Sequence, residues 1–351
     1  MKKYLYLFIL TLILPLYTQA TVRTVSNGKI KAQYTDLQTA INQSNAGDTI
    51  YLHPSPNSYG NVDMNKQLTV IGVGHRRLVE EGATSSHTAY VNRFQFTAAG
   101  SGSSVIGVVI GHFINPGYQN VDGISIIRCR ILGNGDSYIG HYSTSTGWLI
   151  EGCVFEAGLN YSPSGNAVGV QFTNSVFGKN VVFRYAASSD VIFAHCIFLG
   201  DYDAPTNVNS STLEGVVFSE NIFIGRTFDA NAKNNFFNNN VIYTSGITGV
   251  WANNFDVDNT NAFVDPLFVN YPVDATGVWS YDYDLTLQAN SPGKGTSADG
   301  TSDLGLSPTF NKYGTPFNPQ LINFDLLTPY VAQDGEVKFK IKARSQAAGE
   351  F

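Results

Sequence analysis

"RCRIL" at 128–132, "GCVFE" at 152–156 and "HCIFL" at 195–199 hold all three cysteines of the 351-residue chain. The pattern continues where cysteine is absent: "TNSVFG" around Ser175, "SENIFI" around Asn221 and "NNNVIY" around Asn240. Aligning "IGVVIG" on Gly107 extends the column upstream, and the steps are then 22, 24, 22, 21, 25 and 19 residues. A fixed period of about 20–25 residues marks a solenoid. The units are rich in Val, Ile, Phe, Asn and Gly and lack both helical periodicity and the repeated Leu of leucine-rich repeats, so each reads as short strands and turns. Each unit is therefore expected to form one coil of a parallel β-helix, nine or ten coils in all.

In such a stack, equivalent positions lie about 4.8 Å apart. The column Gly107, Cys129, Cys153, Ser175, Cys196, Asn221 and Asn240 takes small side chains, or amides that hydrogen-bond along the stack. Two residues on, Ile131, Phe155, Phe177, Phe198, Phe223 and Ile242 are expected on the same inward face. The cysteines then read as small core fillers. Cys153 and Cys196 lie two coils apart, too far to bridge. Cys129 and Cys153 lie on neighbouring coils, where a disulfide is open but not required. A reactive thiol is the third reading.

The ends of the repeat differ from it. Residues 1–20, with Lys2 and Lys3 before the apolar run Tyr4–Leu16 and small residues up to Ala20, read as a secretory signal peptide. No second apolar run follows, so no transmembrane segment is expected in the mature chain. Residues 21–48 read as an N-terminal cap: Thr35 and Gln38 have capping-box spacing, Leu37, Ala40 and Ile41 share a helical face, and Gly47 follows as a stop. The coils then span 49–310, with a long polar loop at 73–93. In 311–351, Ile322, Phe324 and Leu326 alternate with polar residues. Asp334-Gly335 marks a turn, and Val337, Phe339, Ile341 and Ala343 alternate with Glu336, Lys338, Lys340 and Lys342. Period two around a turn predicts a β-hairpin, expected to cover the last coil or to serve in docking or sorting.

"TDLQTAINQSNAGDTIYL…QLTVIG" near the start resembles the opening of secreted pectin-lyase-like right-handed parallel β-helix proteins. "FVDPLFVN…YDYDLTLQANSPGKGTSADGTSDLG" at 263–305 resembles their closing segment. The likeness runs over about 35–305 and is nearest to surface proteins of Bacteroidetes-type bacteria. It implies an all-β, single-stranded right-handed parallel β-helix; with the helix and hairpin read above, the expected fold has an N-terminal helical cap and a C-terminal β-hairpin. Fold does not fix function, and the superfamily includes lyases, hydrolases and adhesins. As the resemblance implies, its lyases hold Ca²⁺ on stacked aspartates and take a sugar proton with Arg or Lys, and its hydrolases use clustered carboxylates.

Those residues cannot be carried over position by position. One residue before the cysteine column stand Arg128, Gly152, Asn174, His195, Glu220 and Asn239. Two before it stand Ile127, Glu151, Thr173, Ala194, Ser219 and Asn238. Seven after it stand Asp136, Asn160, Val182, Asp203, Phe228 and Ile247. No column stacks two adjacent carboxylates.

Local polar groups remain. Asp201 and Asp203, flanking Tyr202, have the spacing to hold Ca²⁺ from one side of a strand, or belong to a solvated loop. The "WSYDYDL" run, Trp279 to Leu285, reads as structure. His141 with Tyr142 and Arg184 with Tyr185 either line a groove or are ordinary surface. No cofactor is required by any motif. Without residues 1–20 the chain has 19 Lys+Arg against 27 Asp+Glu, a balance of −8 that argues against nucleic acid as partner. Charged residues are 14% and aromatics 13%, a surface chemistry that suits stacking on sugars. The expected function is thus a secreted or cell-surface protein that binds extracellular polysaccharide or a surface protein without catalysis. Trp148, Tyr161, Tyr185, Tyr202 and Trp251 are the aromatic candidates. The alternatives are a polysaccharide lyase or glycoside hydrolase and a structural surface-layer component, and sequence alone leaves open whether the chain is an enzyme.

Overall fold

The computed structural model describes residues 20–76, 87–114, 119–133, 137–139, 144–156, 159–161, 168–178, 182–183, 191–199, 214–225, 233–243, 254–257, 260–272, 279–316, 320–326 and 339–344. The chain forms a parallel β-helix. One sheet stacks eleven strands, from Val22–Val25 to Phe255–Asp256. A second stacks nine, from Asn61–Met64 to Val241–Tyr243, and a third joins Ser137–Ile139, Leu159–Tyr161 and Val182–Phe183. Every neighbouring pair in these three sheets is parallel, as expected when each strand meets its equivalent one coil later.

The interior is built from stacked like residues. Phe155, Phe177, Phe198 and Phe223 form one ladder, with ring centroids 4.9, 4.8 and 4.6 Å apart. Phe172, Phe193, Phe218 and Phe237 form another from the facing sheet, and the two ladders meet edge to face. Such pairs add about 0.5–1.5 kcal/mol each beyond area burial. The expected inward column of Ile131, Phe155, Phe177, Phe198, Phe223 and Ile242 is in this core.

Beside the ladders runs the small-residue column. All three cysteines are free and buried, so they bridge nothing, and Cys129 and Cys153 form no disulfide. Each rung is a hydrogen bond from one backbone N–H to the side chain one coil on. Cys129 donates to Cys153 Sγ, Cys153 to Ser175 Oγ, Cys196 to Asn221 Oδ1, Asn221 to Asn240 Oδ1 and Asn240 to Asn261 Oδ1. The column is one residue shorter upstream than the sequence alignment has it. Ile106 pairs with Ile127 and Val109 with Arg130, so Val108 and not Gly107 stands above Cys129.

Gly107 belongs instead to the residue before the column, where the chain turns from the first sheet to the second in the left-handed region. There Gly107, Arg128, Gly152, Asn174, His195, Glu220 and Asn239 all have φ between 50° and 63°. A second left-handed series, Gly102, Gly123, Gly147, Gly169, Gly215 and Asn234, precedes the first sheet's strands. The residue after each of these points inward: Ser103, Ile124, Trp148, Val170, Val216 and Asn235 are fully buried. The third sheet pairs Asn160 with Tyr138 and Val182, so Tyr138 rather than Asp136 holds that column.

The single α-helix among the described residues, Leu37–Gln43, buries Leu37, Ala40 and Ile41 as expected. Its cap is Asp36, which accepts from the Thr39 N–H, and not Thr35. Ahead of it Val22–Val25 already pairs with Thr49–Leu52, so part of the region expected as a cap is sheet. At the far end Asp256 stands in register below Phe237 and is held by Asn261 Nδ2, so a charged group closes the apolar column.

From there the chain doubles back. Phe268–Asn270 and Asp284–Leu287 pair antiparallel. Their apolar residues, with Trp279 and Leu304, cover an outward stripe of the second sheet: Val154, Val176, Ile197, Ile222 and Val241. Residues 291–316 then run as a strap back along the left-handed corner towards the first coils. Asn239 Nδ2 donates to Thr296 O, and Glu220 accepts from Ser297 Oγ and the Ala298 N–H. Asn174 exchanges bonds with Ser307 and Thr309, and Arg128 donates to Thr309 O and Thr315 O. A left-handed non-glycine residue costs about 1–2 kcal/mol, and these bonds offset it at four corners.

The hairpin expected in the tail is present, with Gln320–Leu326 antiparallel to Phe339–Arg344; the Asp334-Gly335 turn lies outside the described residues. Pro316 packs at Gly107, so the strap ends beside the first coils.

Candidate functional site

Three parts of the chain converge where the outward stripe of the second sheet ends. That stripe is Val or Ile in five successive coils and then becomes Arg130. The loop after the third strand of the first sheet supplies His75 and Arg76, and the returning segment supplies Tyr281, Lys312 and Tyr313. The backbone N–H groups of His75 and Arg76 both donate to Tyr313 O, which fixes the loop against the strap.

Tyr281 is the centre of the group. Its hydroxyl lies 2.8 Å from His75 Nδ1 and 3.2 Å from His75 O. The Arg76 guanidinium sits 4.5 Å from its ring centroid and that of Arg130 5.3 Å. Tyr313 stacks beside it at 6.2 Å and also takes Arg76 at 5.9 Å and Lys312 at 5.4 Å. Cation–π contacts of this kind are worth about 0.5–2 kcal/mol. Arg130 is held by Glu156, at 2.6 Å from Nη2 and 3.0 Å from Nε to the same oxygen. Among the described residues Arg76 makes no ion pair, and Lys312 Nζ donates to Tyr281 O. Among the described residues three cations thus share one carboxylate, in a chain whose net charge is −6. Arg76, Arg130, Tyr281, Lys312 and Tyr313 are all partly exposed.

Burial sets the proton states. His75 is 2% exposed, and desolvation, then the nearby Arg130 charge, pushes its pKa down to about 3. The imidazole is therefore neutral, and its Nε2 has no hydrogen-bond partner among the described residues. Burial likewise pushes the Tyr281 phenol up to about 12. Close packing holds the group together. Gly314 has φ 63°, and a methyl group there would run into the His75 ring and the Arg128 carbonyl. The arrangement offers a cationic, aromatic surface to an anion, with neutral His75 fixed beneath.

The residues nominated from the sequence fare differently. Trp148 is corrected: it is fully buried, its Nε1 donates to Val121 O at 2.6 Å, and it packs against Phe96 and Phe113. The cause is its place after left-handed Gly147, which turns every equivalent residue inward. Tyr161 lies in a strand in register with Ile139 and Phe183. Tyr185, Tyr202, Trp251, Asp201 and Asp203 lie outside the described residues, as do His141, Tyr142 and Arg184. Among the described residues, no three His, Cys, Asp or Glu side chains are grouped to hold a metal ion.

In the sequence Tyr281 stands in the polar-aromatic Trp279–Leu285 run, whose likeness to the closing segment favours structure, and neither Arg130 nor Arg76 stands out as a site residue. Arg130 carried a signal, since it is the one charged residue among equivalents that are otherwise Val or Ile. Arg76 and Tyr313 carried none, because over 230 residues separate them and only the returning strap joins them.

No protein-family model matches the chain, and no curated protein matches it.

Proposed function

We propose that the chain is a secreted or cell-surface protein that binds an acidic extracellular polysaccharide without catalysis, at the Arg76–Arg130–Tyr281 site. The observation that supports the reading is Arg76, partly exposed, with its guanidinium stacked on Tyr281 and no carboxylate partner among the described residues. Guanidinium groups bind carboxylates and sulfates through paired N–H donors, and tyrosine rings present flat apolar faces to sugars. The signal-like residues 1–20, the low charge and the opening and closing segments add support for a secreted right-handed member of the pectin-lyase-like superfamily, of the Bacteroidetes surface type.

The second reading is a lyase or hydrolase at the same place. It draws on Arg76 as a base and Glu156 as an acid around Tyr281, though Glu156 is already engaged by Arg130. A glycan array containing acidic and neutral polysaccharides, run beside assays for unsaturated and reducing-sugar products with and without Ca²⁺, separates the two. Retention of acidic glycans with no product is expected. Product that scales with protein and disappears in Arg76→Ala would establish an enzyme instead. Silence in both arms would favour a structural surface role.

A further inference from the structure

The site holds two cations that no carboxylate among the described residues offsets. Arg130 is paired with Glu156 at 2.6 Å. Arg76 has no such partner among those residues, and Lys312 Nζ donates to a neutral group, Tyr281 O, at 3.4 Å. Both lie over one ring: Arg76 Cζ is 5.9 Å and Lys312 Nζ 5.4 Å from the Tyr313 centroid. Laid end to end, those two distances bound the separation of the cations at 11.3 Å. That is near the Debye length of about 8–10 Å at ordinary ionic strength, so charge at one is still felt at the other.

The backbone fixes where both side chains start. The His75 and Arg76 N–H groups donate to Tyr313 O. Buried Asn311 closes the turn that carries Lys312: its Oδ1 accepts the Tyr313 N–H at 3.0 Å, and its carbonyl accepts the Gly314 N–H at 2.9 Å. Tyr281 stacks beside Tyr313 at 6.2 Å and completes a platform of two rings. A surface ordered in this way loses less freedom on binding. A single acidic group offsets one of the two cations and leaves the other without a counter-charge.

Resting on the reading of this place as a glycan site, we propose that it takes two anionic groups at once, one at Arg76 and one at Lys312, with the sugar backbone against Tyr281 and Tyr313. The ligand class is then a densely charged glycan with acidic groups on neighbouring sugars, and charge complementarity selects it over a sparsely charged chain. Carboxylates and sulfates share the required chemistry.

The test is calorimetric titration of the full chain with a diuronic-acid disaccharide, its monomethyl ester and its dimethyl ester, which carry two, one and no charges. A matched set with two, one and no sulfate groups on a neutral disaccharide separates the two sources of charge. In at least one set the doubly charged sugar is expected to bind roughly fivefold or more tightly than the singly charged one. Lys312→Gln is expected to remove that preference and leave binding of the singly charged sugar nearly intact, whereas Arg76→Gln weakens both. Should the Lys312 variant fail to fold, a salt series on the wild-type chain serves instead, with a steeper loss of affinity expected for the doubly charged sugar. Equal affinity for singly and doubly charged sugars, or a preference that survives Lys312→Gln, would overturn this inference and leave the acidic-glycan reading standing. Uncharged sugars that bind as tightly as charged ones, or no binding of any of these sugars, would overturn that reading and this inference with it.

Discussion

Asn240 gives the sharpest test of the stacked column. Its Oδ1 accepts the Asn221 N–H at 2.8 Å and Asn221 Nδ2 at 3.0 Å, and its Nδ2 donates to Phe218 O and Asn261 Oδ1. The residue is fully buried, so water cannot replace what is removed. In Asn240→Ala the Asn221 N–H loses its acceptor, which costs about 1–3 kcal/mol. The other lost bonds contribute about 1 kcal/mol each, for a destabilisation of roughly 3–5 kcal/mol. Asn240→Ser is expected to recover about 1–2 kcal/mol of this, because Ser175 shows that a serine at this position accepts the N–H of the preceding coil, here Cys153 at 3.0 Å. Urea unfolding followed by circular dichroism measures the order through the transition midpoints, with the slope checked for constancy. Equal midpoints for the Ala and Ser variants would refute the rung-by-rung account.

The remaining expectations follow from other parts of the molecule. The thiols of Cys129 and Cys196 are pushed up to about 12 by burial, so native protein is expected to resist thiol reagents until unfolded; rapid native labelling would contradict the column. Cys153→Ser is expected to fold better than Cys153→Leu, by about 1–3 kcal/mol, since overpacking strains the neighbouring rungs; the measurement is again the unfolding midpoint. His75 binds a proton less readily folded than unfolded, because its folded pKa lies near 3 against an ordinary 6.5. Between those values the unfolded chain holds more protons. Stability therefore falls on acidification through that window, by up to about 1.4 kcal/mol per pH unit, and His75→Asn is expected to flatten the profile. Gly314→Ala is expected to loosen the strap at His75 and Arg128, destabilising by about 1–3 kcal/mol and weakening glycan binding together; intact stability with intact binding would show that Gly314 is not close-packed.

The coils were legible because stacking forces equivalent positions to resemble one another. Cys, Ser and Asn in one column and Phe two residues on marked the inward face without any structure. The Gly107 error has a physical origin: small size was taken as the mark of the column, whereas glycine there serves the left-handed corner one residue earlier. The same corner explains Trp148. Its large aromatic ring suggested surface contact, but Gly147 before it is the sequence mark of an inward residue, as are Gly123 before Ile124 and Gly169 before Val170. The candidate site was far less legible. Val154, Val176, Ile197, Ile222 and Val241 are apolar on an outer face because the returning segment covers them, and strand alternation cannot announce such a cover. Arg130 gains its meaning only where that cover ends.

The most direct test of the central claim is calorimetric titration of one acidic oligosaccharide and its uncharged counterpart into the wild-type chain and into Arg76→Gln. The substitution removes the arginine of the site that makes no ion pair among the described residues and leaves Arg130–Glu156 in place. A charge-assisted hydrogen bond is worth about 1.5–3 kcal/mol, so the acidic sugar is expected to bind the variant roughly tenfold or more weakly. The uncharged sugar is expected to bind both proteins weakly and alike. Equal affinity of the two proteins for the acidic sugar, or equal affinity of the wild-type chain for both sugars, would contradict the account.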